Sequence, residues 1–276
     1  MLKHRILTAI VLIPLVLAGL FFLPSLAFQG VAGLIFLGAA YEWAGLTYRG
    51  NLSKKIFVLV QIPLLASYFL TSTAVLYPIA LLLWIALIFS VFFYRADAKG
   101  LFHHCFLRAV TGWLILTFAF VALCDLQAMP LGGFYILSLF LIIWATDIFA
   151  YFVGRRWGKY KLSPISPGKT WIGVLGGLLG ALVVGAVLYG VWHRFSTTEL
   201  PMVLTHLTFW LEFVLILAIV SIFGDLFESM IKRIQGVKDS GTLLPGHGGI
   251  LDRIDSLLPT LPLFAYVLQG SLRGFW

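Results

Sequence analysis

The stretch Leu207-Thr-Phe-Trp-Leu-Glu212-Phe-Val-Leu-Ile-Leu-Ala-Ile-Val-Ser221-Ile-Phe-Gly-Asp225-Leu-Phe-Glu228-Ser229-Met-Ile231, followed at once by Lys232-Arg233, decides the fold class. It is long enough to cross a bilayer as a helix, which takes about 20 apolar residues. Its polar residues are not scattered. Ser221, Asp225, Glu228, Ser229 and Lys232 recur at three- and four-residue spacing, which puts them in one stripe on an otherwise apolar helix. A carboxylate at bilayer depth costs a few kcal/mol unless it meets water, a partner or a metal. The stripe therefore points away from lipid, and Glu228 with Lys232 forms a natural pair within it.

The rest of the chain carries the same signature. Of 276 residues, 61% are hydrophobic and 11% charged, against about 25% charged in an average soluble domain. A water-soluble globular enzyme is excluded. Nine apolar runs stand out between breakers and charges: Ile6 to Leu23, Leu26 to Thr47, Ile56 to Leu70, Val75 to Tyr94, Phe106 to Cys124, Gly133 to Gly154, Trp171 to Trp192, Leu207 to Ile231 and Ser256 to Leu272. The last holds Pro259 and Pro262, and reads as a kinked span or a re-entrant segment. The first resembles a signal peptide but lacks a small-residue cleavage site, so it is read as retained.

Charge supports this count. With the N-terminus inside, 17 of the 19 Lys and Arg residues fall in cytoplasmic segments, and only Arg194 and Arg273 fall outside. The expected fold is an all-α polytopic membrane protein of about nine transmembrane helices, N-terminus cytoplasmic and C-terminus outside. The net charge of +8 reads as topology and headgroup contacts, with no nucleic acid as a partner. Cys105 and Cys124 lie at opposite ends of one span and cannot pair there. Residues 1–130 read as helices for packing or dimerisation, and Gly33 and Gly38 allow a homodimer. Residues 131–276 read as a second region, set apart by cytoplasmic loops at 155–170 and 232–255.

Five acids lie inside apolar runs: Glu42, Asp147, Glu212, Asp225 and Glu228. Asp147 stands seven residues before Gly154 and Asp225 seven before Lys232, at the inner ends of spans running in the same direction, so both lie about 10 Å inward, at matching depth. Glu42 is expected to pair with a loop Arg or Lys, and Glu212 to reach interfacial water.

The loop after Ile231 combines Lys232, Arg233, Lys238 and Arg253 with Asp239, Asp252, Asp255 and several glycines. Glycines let backbone N–H groups approach phosphate oxygens, and the cations neutralise a polyanion. Carboxylates beside such a site need a divalent cation between them, and Mg²⁺ is commonly held by one or two carboxylates plus substrate phosphates. Asp225, Asp252 and Asp255 are the candidates. His247, between Gly246, Gly248 and Gly249, fits a phosphate or base contact, a turn-stabilising hydrogen bond, or a metal ligand. No zinc spacing, Walker motif or nucleophile elbow is present. In the other loop, Arg155, Arg156, Lys159 and Lys161 read mainly as headgroup or topology charges. Ser166-Pro-Gly-Lys169-Thr170, directly before a helix, can receive an anion at the helix N-terminus.

The run Ser229 to Asp255 resembles the motif of the phosphatidate cytidylyltransferases, or CDP-diglyceride synthases: S-x-hydrophobic-K-R-x4-K-D-x-small-x2-hydrophobic-P-x-H-G-G-hydrophobic-x-D-R-hydrophobic-D. Every specified position matches. Asp147 to Tyr151, Gly154-Arg155, Gly158-Lys159 and Ile165 to Thr170 are similar to the same family. Ile172 departs from it, because many members are polar there.

The resemblance implies transfer of CMP from CTP to phosphatidate, giving CDP-diacylglycerol and pyrophosphate, for phospholipid biosynthesis. It implies Mg²⁺, with room for a second cation, on Asp225 and Asp252, with Asp147 and Asp255 as additional ligands. Lys169, Lys232, Arg233 and Lys238 would cradle phosphates. Ser166, Arg155, Asp239, His247, Gly248, Gly249 and Arg253 would complete the substrate site. Phosphatidate and CTP are the implied partners, with membrane lipids around them. The expected location is a bacterial inner membrane, with the active site on its cytoplasmic side. A cation-coupled transporter and a CTP-using polyprenol or phytol kinase are the rival classes; a kinase would leave CDP in place of pyrophosphate.

Overall fold

The structure is a computed structural model and describes residues 13–70, 73–95, 100–195, 201–243 and 248–273. Its helices are α1 (described over Ile13–Phe22), α2 (Ser25–Thr47), α3 (Asn51–Ala66), α4 (Thr73–Phe92), α5 (Cys105–Ala128), α6 (Gly132–Trp157), α7 (Trp171–Phe195), α8 (Leu207–Ile234), α9 (Leu251–Ile254) and α10 (Leu257–Arg273). Among the described residues the extended pairing is a single bridge between Lys161 and Thr170.

Seven helical stretches, α2 to α8, are long and apolar enough to cross a membrane. The chain is an integral membrane protein. Of the two remaining expected spans, the first falls partly on residues 1–12, outside the described ones. The last is α10, whose 17 residues reach about 25 Å, short of a hydrocarbon core of about 30 Å. Among the described residues, length and apolarity thus mark seven spans. Pro259 sits in the first turn of α10, where its missing N–H would have had no helical partner.

Two helices run further than the apolar pattern suggests. α6 carries Arg155 and Arg156 on its last turn, and α8 carries Lys232 and Arg233 on its own. The expected loops at 155–170 and 232–255 therefore begin later, at Gly158 and Gln235, and α9 interrupts the second. Cations in a last helical turn complement the carbonyl end of the helix, so the chain continues as helix through what reads as loop charge. The chain turns away from α8 at Gly236, with φ +70. The Gly236 N–H bonds to the Arg233 carbonyl and the Val237 N–H to the Lys232 carbonyl, both at 3.0 Å, a left-handed glycine cap.

α7 has two faces of different character. Leu175, Leu179, Val183, Val187 and Val191 recur every four residues and are exposed to the bilayer. Gly173, Gly176, Gly177 and Gly180 face α6, and a Cβ on Gly176 would stand 2.5 Å from the Val153 Cβ. Backbones approach this closely only where side chains are missing. α5 is the central helix, with Ile115, Leu116, Ala119, Val121, Ala122, Cys124 and Leu126 fully buried.

On α2, Trp43 donates from Nε1 to the Arg108 carbonyl at 2.8 Å and stacks on Phe227 of α8. Gly33 packs towards Phe120 of α5, and Gly38 against Ile250. These two glycines are thus used within the chain.

Candidate active site

The polar stripe of α8 is turned inward. Ser221, Glu228, Ser229 and Lys232 are buried, and Asp225 is half-buried. Two ion pairs join the stripe to the loops. Lys169 Nζ stands 2.6 Å from Asp225 Oδ2, and Lys232 Nζ stands 2.7 Å from Asp252 Oδ1 while also holding Glu228 Oε2. Ser229 Oγ donates to Asp225 Oδ1 at 3.1 Å.

Lys169 arrives there because residues 160–171 fold into a small hairpin. The Leu162 N–H bonds to the Lys169 carbonyl at 2.8 Å and the Trp171 N–H to the Tyr160 carbonyl at 3.1 Å. Arg233 pins this hairpin to α8 by donating from Nε to the Ile165 carbonyl at 3.1 Å. The expected free N–H groups ahead of α7 are partly taken, since Thr170 Oγ1 accepts the Gly173 N–H at 3.2 Å.

Asp252 is gripped by its own loop. Its Oδ2 accepts the Gly249 N–H at 2.8 Å and the Ser240 N–H at 3.1 Å. Gly248 holds φ +83, a conformation that suits glycine. The Gly249 N–H thus lies on a carboxylate. Desolvation would raise the Asp252 carboxyl, but Lys232 and the Gly249 and Ser240 N–H groups outweigh it and hold the group below the ordinary range. Asp255 behaves oppositely. Desolvation first, and then the charge of Asp225, push it well above the ordinary carboxylate value.

Asp147 is exposed on α6, yet lies in the field of Lys169, Asp225 and Arg253. The matching depth inferred from the sequence therefore corresponds to electrostatic proximity. Among the described residues, no three His, Cys, Asp or Glu side chains surround one point as a ready metal cage. The donor set still suits a hard divalent cation. Asp147, Asp225, Glu228, Asp252 and Asp255 outnumber Lys169, Lys232 and Arg253 in one electrostatic cluster, and the buried Glu228 Oε1 has no hydrogen-bond partner.

Asp239 lies beside Gly248, where a Cβ would stand 3.9 Å from the Asp239 Cβ. Arg155 donates to the Tyr151 hydroxyl at 2.8 Å and is exposed. Lys238 and Asp239 are exposed, and Ser166 contributes its carbonyl to the turn that ends at Lys169. His247 lies outside the described residues. Ile172 lines a mostly apolar groove with Val153, Trp157, Lys159 and Tyr160 at the bundle surface, so an apolar residue suits that position.

Two participants escape the sequence reading. Glu228 shows only as a partner for Lys232, and Glu42 is expected on a loop cation. Glu42 instead receives the Leu251 N–H and the Ser240 hydroxyl. Its place inside an apolar span marks Glu42 as unusual, but its partners lie 198 and 209 residues away.

Comparison with known proteins shows the family. The model of the "Cytidylyltransferase family" matches residues 3–270. The chain is 38% identical to the phosphatidate cytidylyltransferase of Pseudomonas aeruginosa, over 99% of both chains. It is 35% identical to that of Haemophilus influenzae, over 96% of this chain and 98% of the relative. It is 33% identical to that of Thermotoga maritima, over 99% and 98%. An end-to-end match of this extent, on a chain whose paired lysines and aspartates meet at one place, makes the protein an enzyme and a member of the cytidylyltransferase family.

Proposed function

We propose that the protein transfers the cytidylyl group of CTP to phosphatidate, giving CDP-diacylglycerol and pyrophosphate. The observation that carries this is the pair of lysine–aspartate contacts, Lys169 with Asp225 and Lys232 with Asp252, joined in one cluster in a membrane-embedded member of the family. Its relatives are named for phosphatidate.

In the reaction, an oxygen of the lipid phosphate attacks the α-phosphorus of CTP in line. A new P–O bond forms as the bond to the β-phosphate oxygen breaks, and pyrophosphate leaves. A phosphate monoester is largely ionised at neutral pH, so the step needs no strong base and no side-chain nucleophile. The protein's contribution is positioning and charge neutralisation. Lys169 and Lys232 exchange carboxylate partners for phosphate oxygens, and Arg233 keeps the Lys169 hairpin against α8.

Asp225 and Asp252 would hold Mg²⁺, with Asp147 and Asp255 as further ligands. When bound, the ion would neutralise the triphosphate and polarise the α-phosphoryl group. A set of one or two carboxylates completed by substrate phosphates suits Mg²⁺ better than a closed protein cage does. The exposure of Asp147, beside the exposed Ile148 and Phe152, supports entry of the lipid sideways from the bilayer. The clustering of Lys and Arg supports a site on the cytoplasmic face of a bacterial inner membrane.

The test uses purified protein, phosphatidate, and CTP labelled at either the α- or the γ-phosphate, with and without Mg²⁺. Label from the α-position should enter the lipid only with Mg²⁺ and with release of stoichiometric pyrophosphate. Lipid labelled from the γ-position, with CDP released, would instead mark a kinase and overturn the proposal.

A further inference from the structure

Glu42, in the inner half of α2, is 3% exposed. Among the described residues its bonds are not to a cation. Oε2 accepts the Leu251 backbone N–H at 2.8 Å and the Ser240 hydroxyl at 3.3 Å, while Oε1 has no partner. The loop closes on this carboxylate without intervening side chains. A Cβ on Gly241 or Gly249 would overlap Glu42 oxygens.

The loop residues in contact with Glu42 also serve Asp252. The Ser240 N–H donates to both Asp252 oxygens and the Gly249 N–H to Oδ2. Leu251, whose N–H sits on Glu42, immediately precedes Asp252. Asp252 in turn holds Lys232. A continuous set of bonds thus runs from α2 in the N-terminal half to the lysine–aspartate pair in the C-terminal half.

We infer that Glu42 is a positioning residue for cytidylyl transfer: as a buried acceptor on α2, it fixes Ser240 and Leu251 so that Asp252 and Lys232 stand in register with Asp225 and Lys169. This rests on reading those two pairs as the reacting site. Glu42 itself touches neither substrate. Its loss misplaces groups that act on the reacting phosphate, so the effect falls on turnover more than on binding.

The experiment measures kcat, and KM for CTP and for phosphatidate, on purified full-length wild type, E42A, E42Q, G241A and D252N. E42A should lower kcat roughly 10- to 100-fold, the range for groups that orient a ligand from behind, with each KM within about threefold of wild type. E42Q should recover most of kcat, because one amide oxygen still accepts the Leu251 N–H. G241A, whose new Cβ meets the Glu42 side chain first, should reproduce the loss of kcat, and it serves as the test if E42A does not fold.

A folded E42A with kcat within about twofold of wild type overturns the inference. So does an E42Q as impaired as E42A, a loss confined to KM, or a G241A with wild-type kcat. A fully active D252N would overturn the site reading and this inference with it. An inactive D252N beside an unimpaired E42A would overturn the inference alone.

Discussion

Lys232 is the residue on which the site's internal balance turns. It sits between the almost fully buried Glu228 and Asp252, with its own side chain 11% exposed. Removing the cation from such a group leaves two buried carboxylates facing each other, which is far more costly than the pair is worth while intact. K232M should destabilise the protein by about 3 kcal/mol or more, read as a lower midpoint in denaturant titration of the detergent-solubilised protein. The double variant K232M/E228Q should regain part of that loss. An unchanged midpoint in K232M would show that the carboxylates are relieved by other means.

At this scale the sequence is informative wherever the cause is local. The spacing of Ser221, Asp225, Glu228, Ser229 and Lys232 places them on one face, and the structure buries that face. The partner of Glu42 is not legible, because a backbone N–H carries no side-chain signature and lies on the far side of the chain in sequence. The glycines near Asp252 are legible as special. Their contacts with Asp252 and Glu42 depend on the path of the loop.

Among elements, α6 and α7 form the hairpin that sets Asp147 and Lys169 against α8. Their close approach depends on glycines. G177L would drive a side chain into the Thr146 carbonyl, which a Cβ alone would approach to 2.7 Å. L179A, on the lipid-facing side, changes only the surface towards the bilayer. G177L should cost about 1–3 kcal/mol, as overpacking does, and lower activity along with stability, whereas L179A should leave both near wild type. Equal thermal shifts in the two variants would contradict the assignment of these faces.

The apolar runs locate the long helices well, but not their ends. Arg155, Arg156, Lys232 and Arg233 read as loop charges from hydropathy, although each suits a helical C-terminus. The hairpin at 160–171 is invisible to periodicity because only one bridge and a few backbone bonds define it. Its role in carrying Lys169 to Asp225 emerges only from tertiary contact with Arg233.

For the whole molecule, composition alone is sufficient to exclude a soluble fold, and the seven apolar helices agree. The division of Lys and Arg between loops carries a further prediction about sidedness. With exposed Cys105 replaced, a single cysteine introduced as K161C in intact bacterial cells should resist a membrane-impermeant thiol reagent. It should react once the membrane is opened. Labelling in intact cells would place the 160–171 hairpin outside and contradict a cytoplasmic site. The N-terminal half is less legible than the rest, since its contribution through Glu42, Trp43 and Gly38 is made by contacts that no linear motif announces.

The central claim is that Asp225 and Asp252, each held by a lysine, form the reacting site. The most direct measurement is the initial rate of α-label transfer from CTP to phosphatidate in D225N and D252N, compared with wild type in protein of matched folded fraction. The account predicts that each variant loses activity by about a hundredfold or more. A rate close to wild type in either folded variant would contradict it.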